Sequence, residues 1–100
     1  MIFNQLVFRV HAIQRMYQRG ITEPEVRHVI ATGETVEDYP DDTPYPSRLV
    51  LGWHGQRPIH VVVADNTDDE ENIVITTYGR TLPNGKRISK GERPHEVRHL

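Results

Sequence analysis

Three basic side chains recur four residues apart in the stretch HAIQRMYQRG: His11, Arg15 and Arg19. On a helix this spacing places all three on one side. Cations held together in this way repel by roughly a few tenths of a kcal/mol per neighbouring pair, so the pattern asks for an anion. A phosphate group is one candidate, because its oxygens match the fork of an arginine guanidinium. The chain's own acids, such as Glu34, Glu37 or Asp38, are another, and solvation is the third. His60 lies inside the apolar run PIHVVVA and Tyr78 closes the run IVITTY. A histidine in a strand is either a hydrogen-bonded structural residue or a proton carrier. A tyrosine there either packs or aims its hydroxyl at a site, here with Arg80 beside it. Tyr39 and Tyr45, set among Pro40, Pro44 and Pro46, suit loop anchors, and aromatic rings can also stack on bases.

A second pattern stands near the end of the chain. His95-Glu96-Val97-Arg98-His99 matches H-E-x-x-H, in which two histidines one helical turn apart bind zinc and the glutamate activates a bound water. Such a site needs a third ligand and a stable helix. Only Leu100 follows His99, and a helix begun at Pro94 is barely longer than one turn and frays. The expectation is no metal site and no cofactor. The chain has no nucleotide-binding glycine loop, no calcium-loop spacing and no nucleophile elbow.

Composition narrows the setting. One hundred residues imply one domain with a thin core. The absence of cysteine excludes a disulfide framework and any thiolate zinc site, and leans toward a cytoplasmic protein. The longest apolar runs are too short to cross a bilayer, and the first residues lack a signal-peptide pattern, so no membrane association is expected. The charge is divided. Residues 1–78 carry six arginines against twelve acids, whereas residues 79–100 carry Arg80, Lys86, Arg87, Lys90, Arg93 and Arg98 against Glu92 and Glu96. A basic end suggests an anionic partner; a solvated chain end explains it as well.

The elements that must position these groups follow from periodicity. LVFRV is a short strand. HAIQRMYQRG is a helix whose wheel groups Ala12, Ile13, Met16 and Tyr17 on one side and the cations on the other, and Gly20 ends it. Thr22-Glu23-Pro24-Glu25 is a capping box that opens a second helix, buried along Val26, Val29 and Ile30 and stopped by Gly33. The period then changes to alternation: ETVEDY, RLVLGWH and PIHVVVA joined through GQR, and IVITTYG. The order β-α-α-β-β-β-β defines an α+β fold, two N-terminal helices on a curved antiparallel sheet, over residues 1–80, with a basic, partly ordered tail at 81–100. With His54 opposite Ile59, Leu49, Leu51, Trp53, His60 and Val62 share one sheet face, and Val50, Ile59, Val61 and Val63 share the other. The helices can cover one face; the second needs the tail, a partner or a second copy in a homodimer.

HAIQRMYQRGITEPEV, YPDDTPYPSRLVLG, RPIHVVVA and IVITTYG, in that order, resemble a family of small bacterial domains of unknown function. That family is similar to the RelE/ParE-like toxin superfamily, including the BrnT and MqsR types. The resemblance covers roughly residues 6–79. It implies two helices against a curved sheet, a toxin role beside a small antitoxin with a YgiT-type zinc finger, and messenger RNA cleavage without a metal. The family pattern falls on His11, Arg15 and Arg19, on Tyr39, Tyr45 and Arg48, on His60 and on Tyr78; the long basic end after TTYGR departs from it. Metal-free RNA cleavage needs a base for the ribose 2′-OH, cations on the phosphate and an acid for the leaving oxygen. His60 or His11 would supply the base or acid, and Tyr78 a proton. Arg15, Arg19 and Arg48 would clamp the phosphate, with Arg80, Lys86 and Arg87 along the RNA backbone. The alternative is a module that binds protein or nucleic acid without catalysis.

Overall fold

A computed structural model of the chain describes residues 5–79. Its elements are β1 (Gln5–Phe8), α1 (Val10–Arg19), α2 (Glu23–Thr32), β2 (Glu34–Tyr39), β3 (Ser47–His54), β4 (Arg57–Asn66) and β5 (Glu71–Tyr78). The α+β order expected from periodicity is the order observed. The tail and its Arg80, Lys86, Arg87, His95 and His99 lie outside the described residues.

Local chemistry accounts for the helix ends. α1 closes at Gly20, whose φ of 64° is the left-handed conformation that a side chain resists. The Gly20 N–H donates to Tyr17 O (3.3 Å) and the Ile21 N–H to Met16 O (2.8 Å), the paired bonds of a Schellman ending. At α2 the capping box forms as the spacing implies. The Thr22 hydroxyl accepts from the Glu25 N–H (3.3 Å), and Glu25 Oε1 accepts from the Thr22 N–H (2.8 Å). Such a cap stabilises a helix by about 1 kcal/mol. α2 stops where the backbone turns tightly onto β3. A Cβ on Gly33 would stand 2.5 Å from Val29 O and 2.7 Å from Leu51 O, so only glycine fits.

The five strands form one sheet in the order β1-β5-β4-β3-β2. The sheet is mixed rather than wholly antiparallel, because β1 pairs parallel to β5 while every other pair is antiparallel. The reason is connectivity. The whole chain between β1 and β5 serves as the crossover that a parallel pair needs. In the β3–β4 hairpin His54 pairs with Arg57 across Gly55-Gln56, and Gly52 pairs with Ile59. This register differs by two residues from the one expected. Since side chains alternate with period two, each residue keeps its expected face.

Both faces carry a buried cluster. α1 and α2 lie on one, where Ala12, Met16, Val26, Val29, Val50 and Val61 belong to the larger core cluster. Each such aliphatic side chain contributes roughly 1.5–3 kcal/mol through burial. Tyr39, Leu49, Val62 and Tyr78 form a second cluster on the opposite face. Leu49, Val62 and Tyr78 expose no surface, so the middle of this face is buried, whereas Trp53 toward the hairpin tip stays exposed. The helical wheel is turned from the expected one. Ala12 and Met16 are buried, while Ile13 and Tyr17 are exposed and His11, Arg15 and Arg19 are half-buried. α1 packs chiefly on β5, near the side of the sheet, and this position buries a narrower stripe than a central helix would.

Candidate functional site

The structural element that builds the site is the tip of the β3–β4 hairpin, folded against the C-terminal end of α1. Arg57 is the first residue of β4, immediately after the turn. Its Nη1 donates to Gly20 O (3.0 Å) and its Nη2 to Arg19 O, so the guanidinium binds carbonyls at the negative end of the α1 dipole. From the other side Glu25 Oε2 lies 3.9 Å from Arg57 Nη1 and 3.7 Å from His54 Nε2. Glu25 therefore serves the α2 cap and the hairpin tip at once. Its carboxyl is held below its ordinary value, first by the Thr22 backbone N–H; burial opposes this, and the Thr22 hydroxyl, His54 and Arg57 reinforce it.

Beside this junction opens a cleft of about 780 Å³, lined by Gln18, Arg19, His54, Gln56, Arg57 and Gly79 among others. Among the described residues the side-chain lining includes two guanidinium groups, an imidazole and two amides, with no carboxylate. The Arg19 Nε is buried and has no hydrogen-bond partner among the described residues. A buried donor left unpaired is costly and calls for an acceptor. Such a lining suits a phosphate or another oxyanion.

His60 approaches the cleft from behind. Its Nδ1 is 2.8 Å from the carbonyl oxygen of Gly79, a cleft-lining residue. A carbonyl only accepts, so Nδ1 carries the proton and Nε2 keeps its lone pair. Burial pushes the pKa of His60 down, with the Gly79 bond opposing, so the ring is neutral near pH 7. Tyr78 is the direct cross-strand neighbour of His60 and exposes no surface. The fold thus brings His60 and Tyr78 together, but on the face opposite the helices, where both are buried.

The remaining expected residues are dispersed. Arg15 Nη1 donates to Gln18 Oε1 (3.4 Å), and His11 stands at the start of α1, away from the cleft. Arg48 pairs with Asp65, its Nε 3.1 Å from Oδ2 and its Nη2 3.4 Å from Oδ1. It lies across from Val63, five residues along β4 from Pro58 and so about 17 Å from the cleft. Among the described residues no three metal-ligating side chains are grouped to hold an ion, and no described helix is long and apolar enough to cross a membrane.

Reasoning from the sequence missed His54, Arg57, Gln18 and Gln56. Arg57 sat in a three-residue link taken as a turn, and nothing local showed that the turn would dock on a helix end. The available signal was the open C-terminus of α1, whose carbonyls need donors.

Residues 8–79 match the profile of a domain of unknown function, DUF4258. The chain belongs to the DUF4258 family. No curated protein and no solved structure matches it. Within this DUF4258 domain the cleft-lining residues from Gln18 to Gly79 all fall inside the matched span, as do His60 and Tyr78.

Proposed function

We propose that this DUF4258 domain binds RNA through the cleft between the α1 C-terminus and the β3–β4 turn, and cleaves it without a metal ion. The observation that carries this reading is a lining that, among the described residues, sets the guanidinium groups of Arg19 and Arg57 beside an exposed imidazole without a carboxylate and leaves the Arg19 Nε–H without an acceptor. In this mechanism Arg19 and Arg57 hold the scissile phosphate. His54, with Glu25 near its Nε2, takes the proton of the ribose 2′-OH through Nδ1. The 2′-oxygen attacks phosphorus, the bond to the 5′-oxygen breaks as that oxygen takes a proton from solvent water, His54 returns its proton to solvent, and the products are a 2′,3′-cyclic phosphate and a 5′-hydroxyl. His60 fixes the Gly79 wall. The resemblance of the sequence motifs to RelE/ParE-like and BrnT/MqsR-type toxins supports a role as the toxin of a type II pair. In that role the chain acts on messenger RNA in the cytoplasm and is held in check by a small zinc-finger antitoxin.

Purified protein incubated with single-stranded RNA in EDTA should yield cyclic-phosphate ends, and an RNA with deoxyribose at the cleaved position should stay intact. Arg19→Gln, which spares the helix-end bonds of Arg57, should reduce turnover at least about a hundredfold. A folded protein that cuts no RNA at any salt concentration refutes the catalytic reading. A second reading, RNA binding without cleavage, is favoured by the burial of His60 and Tyr78, which leaves His54 as the only imidazole lining the cleft among the described residues. It predicts salt-dependent binding with the RNA recovered whole.

A further inference from the structure

The chain has one tryptophan, Trp53, and the cleft does not use it. It stands next to His54 at the end of β3 and is 54% exposed, although a ring of this size usually buries most of its surface. Its place is fixed from behind. A Cβ on Gly52 would stand 3.0 Å from both Val29 methyl carbons, so the β3 backbone rests directly on α2 and the next side chain is directed to the other face of the sheet. On that face Pro58, which lines the cleft, is the cross-strand partner of Trp53. Such partners stand roughly 4.5–5.5 Å apart at Cβ, so the indole borders the cleft. On its other flank β2 begins only at Glu34, opposite Leu51, and stops short of Trp53. There a second hollow of about 290 Å³ opens, lined by Thr32, Gly33, Glu34, Leu51, Gly52 and Trp53. The indole thus stands between a cleft lined by arginines and a hollow lined in part by a carboxylate.

We propose that Trp53 stacks a nucleobase whose amino edge enters the hollow toward Glu34, so that the ligand is a single-stranded RNA with an unpaired, amino-bearing base beside the phosphate held in the cleft. This rests on the reading of the cleft as an RNA site, with or without cleavage. A base inside a duplex is stacked on both faces and has none free for the indole. Unpaired bases lie on aromatic rings and bond through their open edges. A carboxylate only accepts hydrogen bonds, so it suits the amino group of cytosine, adenine or guanine. Uracil, whose N–H lies between two carbonyl oxygens, suits it less. Other occupants fit poorly. Among the described residues Trp53 is the only large apolar side chain of the sheet that is exposed, too little to seat the apolar face of a protein or to enter a lipid surface. A cationic peptide would find a ring and a carboxylate, but Arg19 and Arg57 in the adjoining cleft repel it.

The test uses the full chain and 2′-O-methyl RNA oligomers of about six nucleotides, which cannot be cut because the attacking hydroxyl is blocked. Tryptophan emission reports position 53 alone. Oligocytidylate should quench it saturably, with the midpoint given by anisotropy of a fluorescein-labelled copy. Trp53→Leu should weaken that binding about tenfold and Trp53→Phe much less. The position is more than half exposed, so circular dichroism should show an unchanged fold. Oligouridylate should bind several-fold more weakly than oligocytidylate, and Glu34→Ala should erase the difference. Duplex RNA should leave the emission unchanged. The proposal is overturned by oligocytidylate binding without quenching, by Trp53→Leu without effect, or by equal affinity for the two oligomers. It is overturned equally by a duplex or an oligoarginine peptide that quenches as the single strand does. Arg57→Gln separates it from the reading of the cleft. Binding that Arg57→Gln weakens but that never quenches Trp53 sinks the stacking and spares the cleft, whereas quenching that Arg57→Gln leaves intact spares the stacking and sinks the cleft.

Discussion

Arg48 and Arg57 sit at opposite ends of the same hairpin and have opposite fates. Arg48 exposes 12% of its side chain and meets Asp65 through two hydrogen bonds, and Asp65 also accepts from Asn72 Nδ2 at 2.7 Å. Arg57 exposes 39% and spends its hydrogen bonds on neutral carbonyls, with Glu25 at 3.9 Å as its nearest counter-charge. One end is electrostatically closed. The other sets His54 and Arg57 near the Glu25 carboxylate, which also caps a helix, with Arg19 beside them in the cleft lining. Residue type does not separate the two ends; what the fold sets opposite each guanidinium does. A cation paired bidentately inside the chain has little left for a ligand, whereas one bonded to carbonyls keeps its charge.

Removing the counter-charge at the closed end should have the largest effect. Asp65→Ala leaves Arg48 and Asn72 without their acceptor in a mostly buried place, and should lower unfolding stability by about 3 kcal/mol in urea titration while leaving RNA binding unchanged. At the open end Arg57→Gln should remove about 1 kcal/mol, because two helix-end carbonyls lose a partly exposed donor. Its larger signature should be in function, with RNA affinity down about tenfold and a shallower dependence on salt. If the two substitutions change stability and binding in the same proportion, the contrast between the ends fails.

Glu25→Gln should act more weakly. The amide oxygen can still accept from the Thr22 N–H, so helix capping largely survives, with a loss below about 1 kcal/mol. RNA binding should tighten, since the acid that lies beside His54 and Arg57 is gone. The pH dependence gives the smallest signals. The Glu25 carboxyl is depressed when folded, so its contribution is complete above the ordinary value of 4.5 and fades as pH falls through the folded pKa. His60 is depressed as well, so the unfolded chain takes up its proton first, and stability should decline as pH drops below 6.5. His60→Gln should flatten the decline just below pH 6.5 and leave the acid limb of Glu25 in place.

Several of these features could be foreseen. Thr22, Pro24 and Glu25 announced a helix start because capping depends on residues three apart. The alternation in β3 and β4 announced two sheet faces because side-chain period survives even a two-residue error in register. The stripe of His11, Arg15 and Arg19 was visible for the same local reason, but its burial was not. Which side of α1 faces the sheet depends on where the helix docks, and docking near one side of the sheet left Ile13 and Tyr17 outside.

The site divides along the same line. Sequence alone determined the order of the elements and the faces of the apolar residues in the central hairpin, because each of these follows from interactions within a few positions of the chain. Only the tertiary structure decided that Arg57, distant in sequence from Gly20, would close the α1 helix, that Glu25 would reach His54, and that Arg48 would be claimed by Asp65. Partners for charged groups are chosen by the path of the chain through space, and the pairing energy depends on separation and burial, neither of which periodicity encodes.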